Sequence, residues 1–123
     1  MGVYIMKLTE LVQTGDWKAE KHAPVIAAEY NDGVLEIRAS IGDEIAHPNT
    51  LEHHIEWIKV FFQPEKAKFP IEVGSYKFAA HGEGGVFSLP EVIVKIKTEK
   101  KGNIYALSYC NIHGLWENSL EIK

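Results

Sequence analysis

Short stretches rich in valine, isoleucine, tyrosine and phenylalanine follow one another along most of this chain, each cut off by glycine, proline, asparagine or aspartate. That punctuation predicts a protein built from strands. The predicted strands are Ala23–Tyr30, Val34–Ile41, His53–Phe62, Ile71–Ala80, Glu91–Thr98, Asn103–Cys110 and Leu115–Ile122. Asn31-Asp32-Gly33 and Lys101-Gly102-Asn103 carry hairpin-turn chemistry, while Gln63-Pro64-Glu65 and Pro70 break the middle of the chain. Ahead of the strands, Lys7 to Gln13 predicts a short helix or irregular segment stopped by Thr14-Gly15-Asp16. Seven short strands with turns between them predict an all-β sandwich or barrel. The periodicity does not choose among the sandwiches.

A chain of 123 residues is close to the usual domain size and closes a core without disulfides, so residues 1–123 are expected to form one domain. Hydrophobic residues at 46% and charged residues at 24% suit a globular protein, and no apolar run is long enough for a membrane span. The opening Met1-Gly2-Val3-Tyr4-Ile5-Met6-Lys7 lacks the three parts of a secretory signal, and a single cysteine forbids an internal disulfide. A reducing cytoplasm is the expected compartment. The net charge of -4 argues against a nucleic-acid surface. The nearest basic run, Lys95, Lys97, Lys100 and Lys101, alternates with Ile96 and Thr98 and is expected to be the solvated face of a strand entering a hairpin. Gly82-Glu83-Gly84-Gly85 lacks the lysine and helix of a phosphate cradle and is expected to be a flexible connection.

The chemistry is concentrated near the C-terminus, where the only cysteine stands in Cys110-Asn111-Ile112-His113-Gly114. Two intervening residues let a thiolate and an imidazole reach one metal ion from a single loop, and such a pair selects a borderline-soft divalent metal. Taken alone the pair is weak, since free cysteine is often a small buried hydrophobe. Four of the other five histidines fall in two further clusters, Glu20-Lys21-His22-Ala23-Pro24 and His47-Pro48-Asn49-Thr50-Leu51-Glu52-His53-His54, leaving His81 by itself. Clustered imidazole with a lone cysteine predicts a metal site. Adjacent residues of a strand face opposite ways, so at most one of His53 and His54 aims at that metal. The apolar residues that follow do not decide which.

Three motifs together, Glu-Lys-His-x-Pro at Glu20 to Pro24, His-Pro-Asn-x-x-x-His at His47 to His53, and Cys-Asn-x-His-Gly-x-Trp at Cys110 to Trp116, resemble those of the one-iron superoxide reductases of the neelaredoxin and desulfoferrodoxin group. Their order and spacing run across nearly the whole chain. The resemblance implies an immunoglobulin-like seven-stranded β-barrel. It also implies a mononuclear iron held by His22, His47, His53 and His113 with the Cys110 thiolate, and it selects His53 over His54. Four nitrogens in a plane with an axial sulfur leave one position open for a small oxygen species. The implied reaction reduces superoxide to hydrogen peroxide without releasing oxygen.

By the same resemblance, Glu20 binds the sixth position of the oxidised iron, and Lys21 attracts superoxide and helps supply a proton. A small carrier such as rubredoxin is implied as the electron donor, and a homo-oligomer is implied as the assembly. Trp116, Leu115 and Ile112 are candidates for an apolar rim where the carrier docks, but aromatic residues in this fold more often belong to the core, and the sequence does not locate the docking surface. The absence of a second group of cysteines excludes the extra iron module of the two-iron relatives. Other classes fit less well. A blue copper carrier needs a two-histidine set and usually an axial methionine, yet Met1 and Met6 lie far from Cys110 in sequence. A superoxide dismutase would evolve oxygen, and a structural zinc module would show no thiolate-to-iron colour.

Overall fold

The computed structural model describes residues 5–15, 22–43 and 46–123. Among the described residues, eight strands form two sheets, with a helical turn, α1 (Leu8–Leu11), at the start. The larger sheet contains β1 (Gln13–Thr14), β4 (Ile55–Pro64), β5 (Ile71–Lys77), β7 (Gly102–Cys110) and β8 (Gly114–Ile122) in the order β1-β8-β7-β4-β5. The smaller holds β2 (Val25–Asn31), β3 (Val34–Ser40) and β6 (Glu91–Lys97) in the order β2-β3-β6. All pairings are antiparallel except β1 with β8. Among the described residues, no helix is long and apolar enough to cross a membrane.

The core follows from the period of two. Leu35, Ile37 and Ala39 on β3 face Ile58, Val60 and Phe62 on β4 and Ile104, Ala106 and Cys110 on β7, all of them buried. Alternate residues of one strand point to one face, so slipping any one of these strands by one residue would turn its core side chains to water. Cys110 is therefore the last member of an apolar series, and its sulfur ends the core at one tip of the sandwich.

All seven predicted strands are present, most within two or three residues of their predicted ends. The eighth, β1, is too short to leave a periodic signal. It follows α1 and runs parallel to β8 through Gln13↔Trp116 and Thr14↔Glu117. The strand expected from His53 begins at Ile55, because the residues before it are folded back by Thr50: its N–H donates to the His53 carbonyl (2.9 Å), and its Oγ1 accepts the His53 N–H (3.1 Å). Asn31-Asp32-Gly33 makes its hairpin with Asp32 at φ 56 and Gly33 at φ 81, the left-handed pair that a two-residue turn needs.

Lys101-Gly102-Asn103 does not make a hairpin. Its chain leaves β6 in one sheet and enters β7 in the other, and Gly102 serves close approach instead, since a Cβ there would fall 2.1 Å from the Gln63 carbonyl oxygen. The lysines before it keep their expected place, with Lys95 exposed on the outer face. Gly82-Glu83-Gly84-Gly85 is a closed turn and not a loose connection. The Gly82 N–H donates to the Val86 carbonyl at 2.8 Å, and Gly82, Gly84 and Gly85 all have positive φ.

Gly102→Ala should lower stability by roughly 1–3 kcal/mol through overpacking against the β4 backbone, read as a shift in the midpoint of chemical denaturation. A variant of unchanged midpoint would show that β4 and β7 can part at this end without cost.

Candidate metal centre

Three segments bring five donor side chains together at the tip where the core ends. His22 comes from the stretch leading into β2, His47 and His53 from the loop before β4, and Cys110 and His113 from the two ends of the β7–β8 turn. One ligating atom from each lies within 4.8 Å of every other. Cys110 and His22 are buried, His53 is half-buried and His113 is exposed, so the cluster reaches from the core to the surface.

The four imidazoles close a ring. Neighbouring centroids are 4.9 Å apart for His22 and His47, 4.8 Å for His47 and His53, 4.9 Å for His53 and His113, and 4.7 Å for His113 and His22. Neighbouring ring planes are tilted by 62° to 81°, so each ring presents an edge to the next. The Cys110 sulfur sits 3.4 Å from His47 Nε2 and 3.9 Å from His113 Nδ1.

His22 Nε2 and His113 Nδ1 are 3.0 Å apart. Two nitrogens bonded to one ion at about 2.1 Å and at right angles are separated by about 3.0 Å, whereas tetrahedral angles would give about 3.4 Å. This one pair is spaced as right-angled donors would be, and five donors exceed a tetrahedral set. A sulfur and four nitrogens suit a borderline transition metal, not a hard cation such as magnesium or calcium.

The outer contacts explain why the donors aim inward. His47 Nδ1 is 2.7 Å from the Pro48 carbonyl, which only accepts, so the proton stays on Nδ1 and Nε2 is left as a lone pair. His22 stacks on Trp116 with centroids 4.8 Å apart and planes 14° from parallel. Gln13 Nε2 donates to the His113 carbonyl at 3.0 Å, so the unforeseen strand β1 steadies the most exposed ligand. Asn118 Nδ2 donates to the Pro24 carbonyl at 2.9 Å, fastening the His22 segment to β8.

Asn111 joins two ligand loops. Its Oδ1 accepts the His54 N–H at 2.9 Å, its Nδ2 donates to the Glu52 carbonyl at 3.0 Å, and its own N–H donates to the His54 carbonyl at 3.2 Å. The sequence placed Asn111 inside a motif but gave it no task, because a side chain that recognises backbone leaves no complementary residue type to search for.

His22, His47, His53, Cys110 and His113 are thus brought together as expected, and His54 and His81 stand outside. His54 and His53 do part company, but from a folded loop and not from a strand's alternation. Of the rim residues, Ile112 is exposed whereas Trp116 is buried against His22. Glu20 and Lys21 lie outside the described residues.

The family model described as Desulfoferrodoxin matches residues 14–119. The chain belongs to the desulfoferrodoxin family. Within it, a superoxide reductase from Pyrococcus horikoshii is 49% identical over 116 residues, covering 94% of this chain and 99% of that protein. Neelaredoxin from Megalodesulfovibrio gigas is 47% identical over 124 residues, covering 93% and 95%. The solved structure of the superoxide reductase (neelaredoxin) from Archaeoglobus fulgidus in the reduced form superposes with a TM-score of 0.86 at 50% identity, covering 92% of this chain and 98% of that one. Desulfoferrodoxins and neelaredoxins are mononuclear iron proteins, and the five donors described above are the matching set.

His53→Ala should weaken iron binding at least about 100-fold, the upper end of what loss of even an outer partner costs, and should purify nearly iron-free. His54→Ala should keep stoichiometric iron. Metal analysis of both proteins checks this, and equal iron loss would mean that the two histidines share the site.

Proposed function

We infer that this chain is a superoxide reductase that reduces superoxide by one electron to hydrogen peroxide at a mononuclear iron with four histidine ligands and one cysteine ligand, releasing no oxygen. The observation that carries this is the closed ring of four edge-on imidazoles with the Cys110 sulfur against it, in a chain that superoxide reductases match almost from end to end. His22, His47, His53, His113 and Cys110 are the residues that hold the iron. When bound, iron supplies the single electron, and the thiolate donates electron density to it, as a cysteine ligand does in haem proteins.

The remaining work belongs to the chain. Each superoxide takes up one electron and two protons to become hydrogen peroxide. Lys21, directly before His22 in sequence, is the proposed cation that draws the anion in and helps supply a proton, since a local positive field raises anion encounter rates. Glu20, one residue earlier, is the proposed carboxylate that occupies the oxidised centre between turnovers. Burial of Cys110 keeps water from the sulfur and supports its role as a persistent ligand.

A small one-electron carrier such as rubredoxin is the proposed donor, a reading supported by Ile112, an exposed apolar side chain beside the exposed ligand His113. Assembly as a homo-oligomer is supported by the exposed apolar side chains of Phe69, Ile71 and Leu89. A reducing cytoplasm is the proposed compartment, consistent with the single cysteine in its free, buried form.

The stoichiometry of the reaction tests the function directly. With excess reductant, one hydrogen peroxide should form per superoxide consumed, with no oxygen evolved. Oxygen release in a one-to-two ratio with superoxide would make the protein a dismutase instead. Cys110→Ser should lose the visible thiolate-to-iron band and nearly all reductase activity, because a hydroxyl is a harder and weaker donor; retained activity with oxygen ligation would show that the sulfur is dispensable.

Lys21→Ala should slow the encounter with superoxide by up to about tenfold at low ionic strength and flatten its salt dependence. Glu20→Ala should leave the encounter nearly intact and alter the ferric spectrum. Pulse-radiolysis kinetics at low and high salt separate the two, and an unchanged rate in the Lys21 variant would defeat the steering role.

A further inference from the structure

Two histidines outside the ligand ring form a second arrangement. His54 and His81 stack with centroids 3.5 Å apart and planes 8° from parallel, and both are buried. With Glu56 they also make a compact group of metal-binding residue types. The geometry rejects a second metal, because parallel stacked rings send their in-plane lone pairs side by side instead of toward one point. Every ring nitrogen in the pair also faces an acceptor. His54 Nδ1 is 2.7 Å from the Thr50 carbonyl and Nε2 is 2.6 Å from Glu56 Oε1, while His81 Nδ1 is 2.8 Å from Asn49 Oδ1 and Nε2 is 2.9 Å from the Phe78 carbonyl.

The direction of the His81 bonds is fixed. Asn49 Nδ2 donates to the Ser88 carbonyl at 2.8 Å, which turns its oxygen toward His81, and a carbonyl such as that of Phe78 only accepts. Both His81 nitrogens therefore face oxygens that offer no hydrogen of their own. Glu83 lies beside it, with Oε1 accepting the His81 backbone N–H at 2.5 Å. The Glu83 carboxyl is held below its usual range by the backbone N–H groups of His81 and of its own residue, and further by the charges of His81 and His54.

What His81 touches is the loop carrying two iron ligands. Asn49 is two residues beyond His47, and His54 directly follows His53. We propose that His81 is a positioning residue for the iron centre: from outside the ligand ring it holds the 47–54 loop through Asn49 and through the stack on His54, and so fixes the aim of His47 and His53. The proposal rests on the reading of the five-residue cluster as the iron site. It gives the one histidine that stands alone in the sequence a task in the same centre. The loop is fastened by Asn111 on the side of the β7–β8 turn, and by His81 and the Ser88 carbonyl on the side of the segment after β5.

The test uses His81→Phe, which keeps an aromatic ring for the stack and removes both ring nitrogens. In the iron-loaded protein the ferric thiolate band should shift, and ferrous iron should pass to a strong chelator about tenfold faster, the lower end of what loss of an outer partner costs. Asn49→Ala, which removes the link without touching the buried ring, should reproduce both changes, and the double variant should release iron no faster than the faster single one. A core variant remote from the loop, Val60→Ala, should lose stability yet keep the wild-type band and release rate. That contrast separates positioning from general loosening. Wild-type band and release rate in His81→Phe, or in Asn49→Ala should His81→Phe not fold, would overturn the proposal. A wild-type protein that takes up iron without any thiolate band would instead defeat the reading of the cluster, and the proposal with it.

Discussion

The pairing of β4 with β7 is the constraint on which everything else depends. It sets Phe62 against Ile104 and Val60 against Ala106 and runs to Ile55 against Cys110, so the same ladder that buries the core delivers the sulfur to its end. Gly102 permits the close approach at the far end of the ladder. At the near end the Cys110↔Gly114 pair closes a tight turn that returns His113 to the sulfur's side, with Gly114 at φ 85, a conformation that favours glycine. The ladder shifts by one residue between Trp57 and Ile55, so the sulfur stands just past an irregularity at the end of the core's pairing.

The ligands come from three places, yet the loops that carry them are not independent. Asn111 ties the β7–β8 turn to the loop before β4, Asn118 ties β8 to the segment of His22, and β1 reaches His113 through Gln13. Each fastening pairs a side-chain amide with backbone. An amide donates and accepts at once without charge, so it can satisfy peptide groups near the site without adding to its electrostatics.

The sequence revealed a good deal of this, for identifiable reasons. Strands with one buried face leave an alternating pattern, and the seven longer ones were legible. β1 has two residues and was not. The five donors were legible because thiol and imidazole are rare, chemically distinctive groups that clustered at motif spacing. Their outer partners were hidden, since Gln13, Asn111 and Asn118 look like any polar surface residues until the chain is folded. Gly102 was misread as a turn because a glycine needed for lack of a side chain and one needed for positive φ are the same letter. His81 gave no signal at all, since its partners on the ligand loop, Asn49 and His54, are some thirty residues away in sequence.

The edge-on ring of imidazoles has one further consequence. Each ring is hemmed by its neighbours, His22 is backed by an indole, and His47 is pinned by the carbonyl of the next residue. Donors held in this way have little freedom to lengthen or swing when the charge at their centre changes by one unit. A site whose dipoles are already in place pays little reorganisation at the moment of reaction. With iron bound as proposed, such a scaffold would lower the inner-sphere barrier to a one-electron change at the centre, and the stiffness of the loops would become a determinant of its rate.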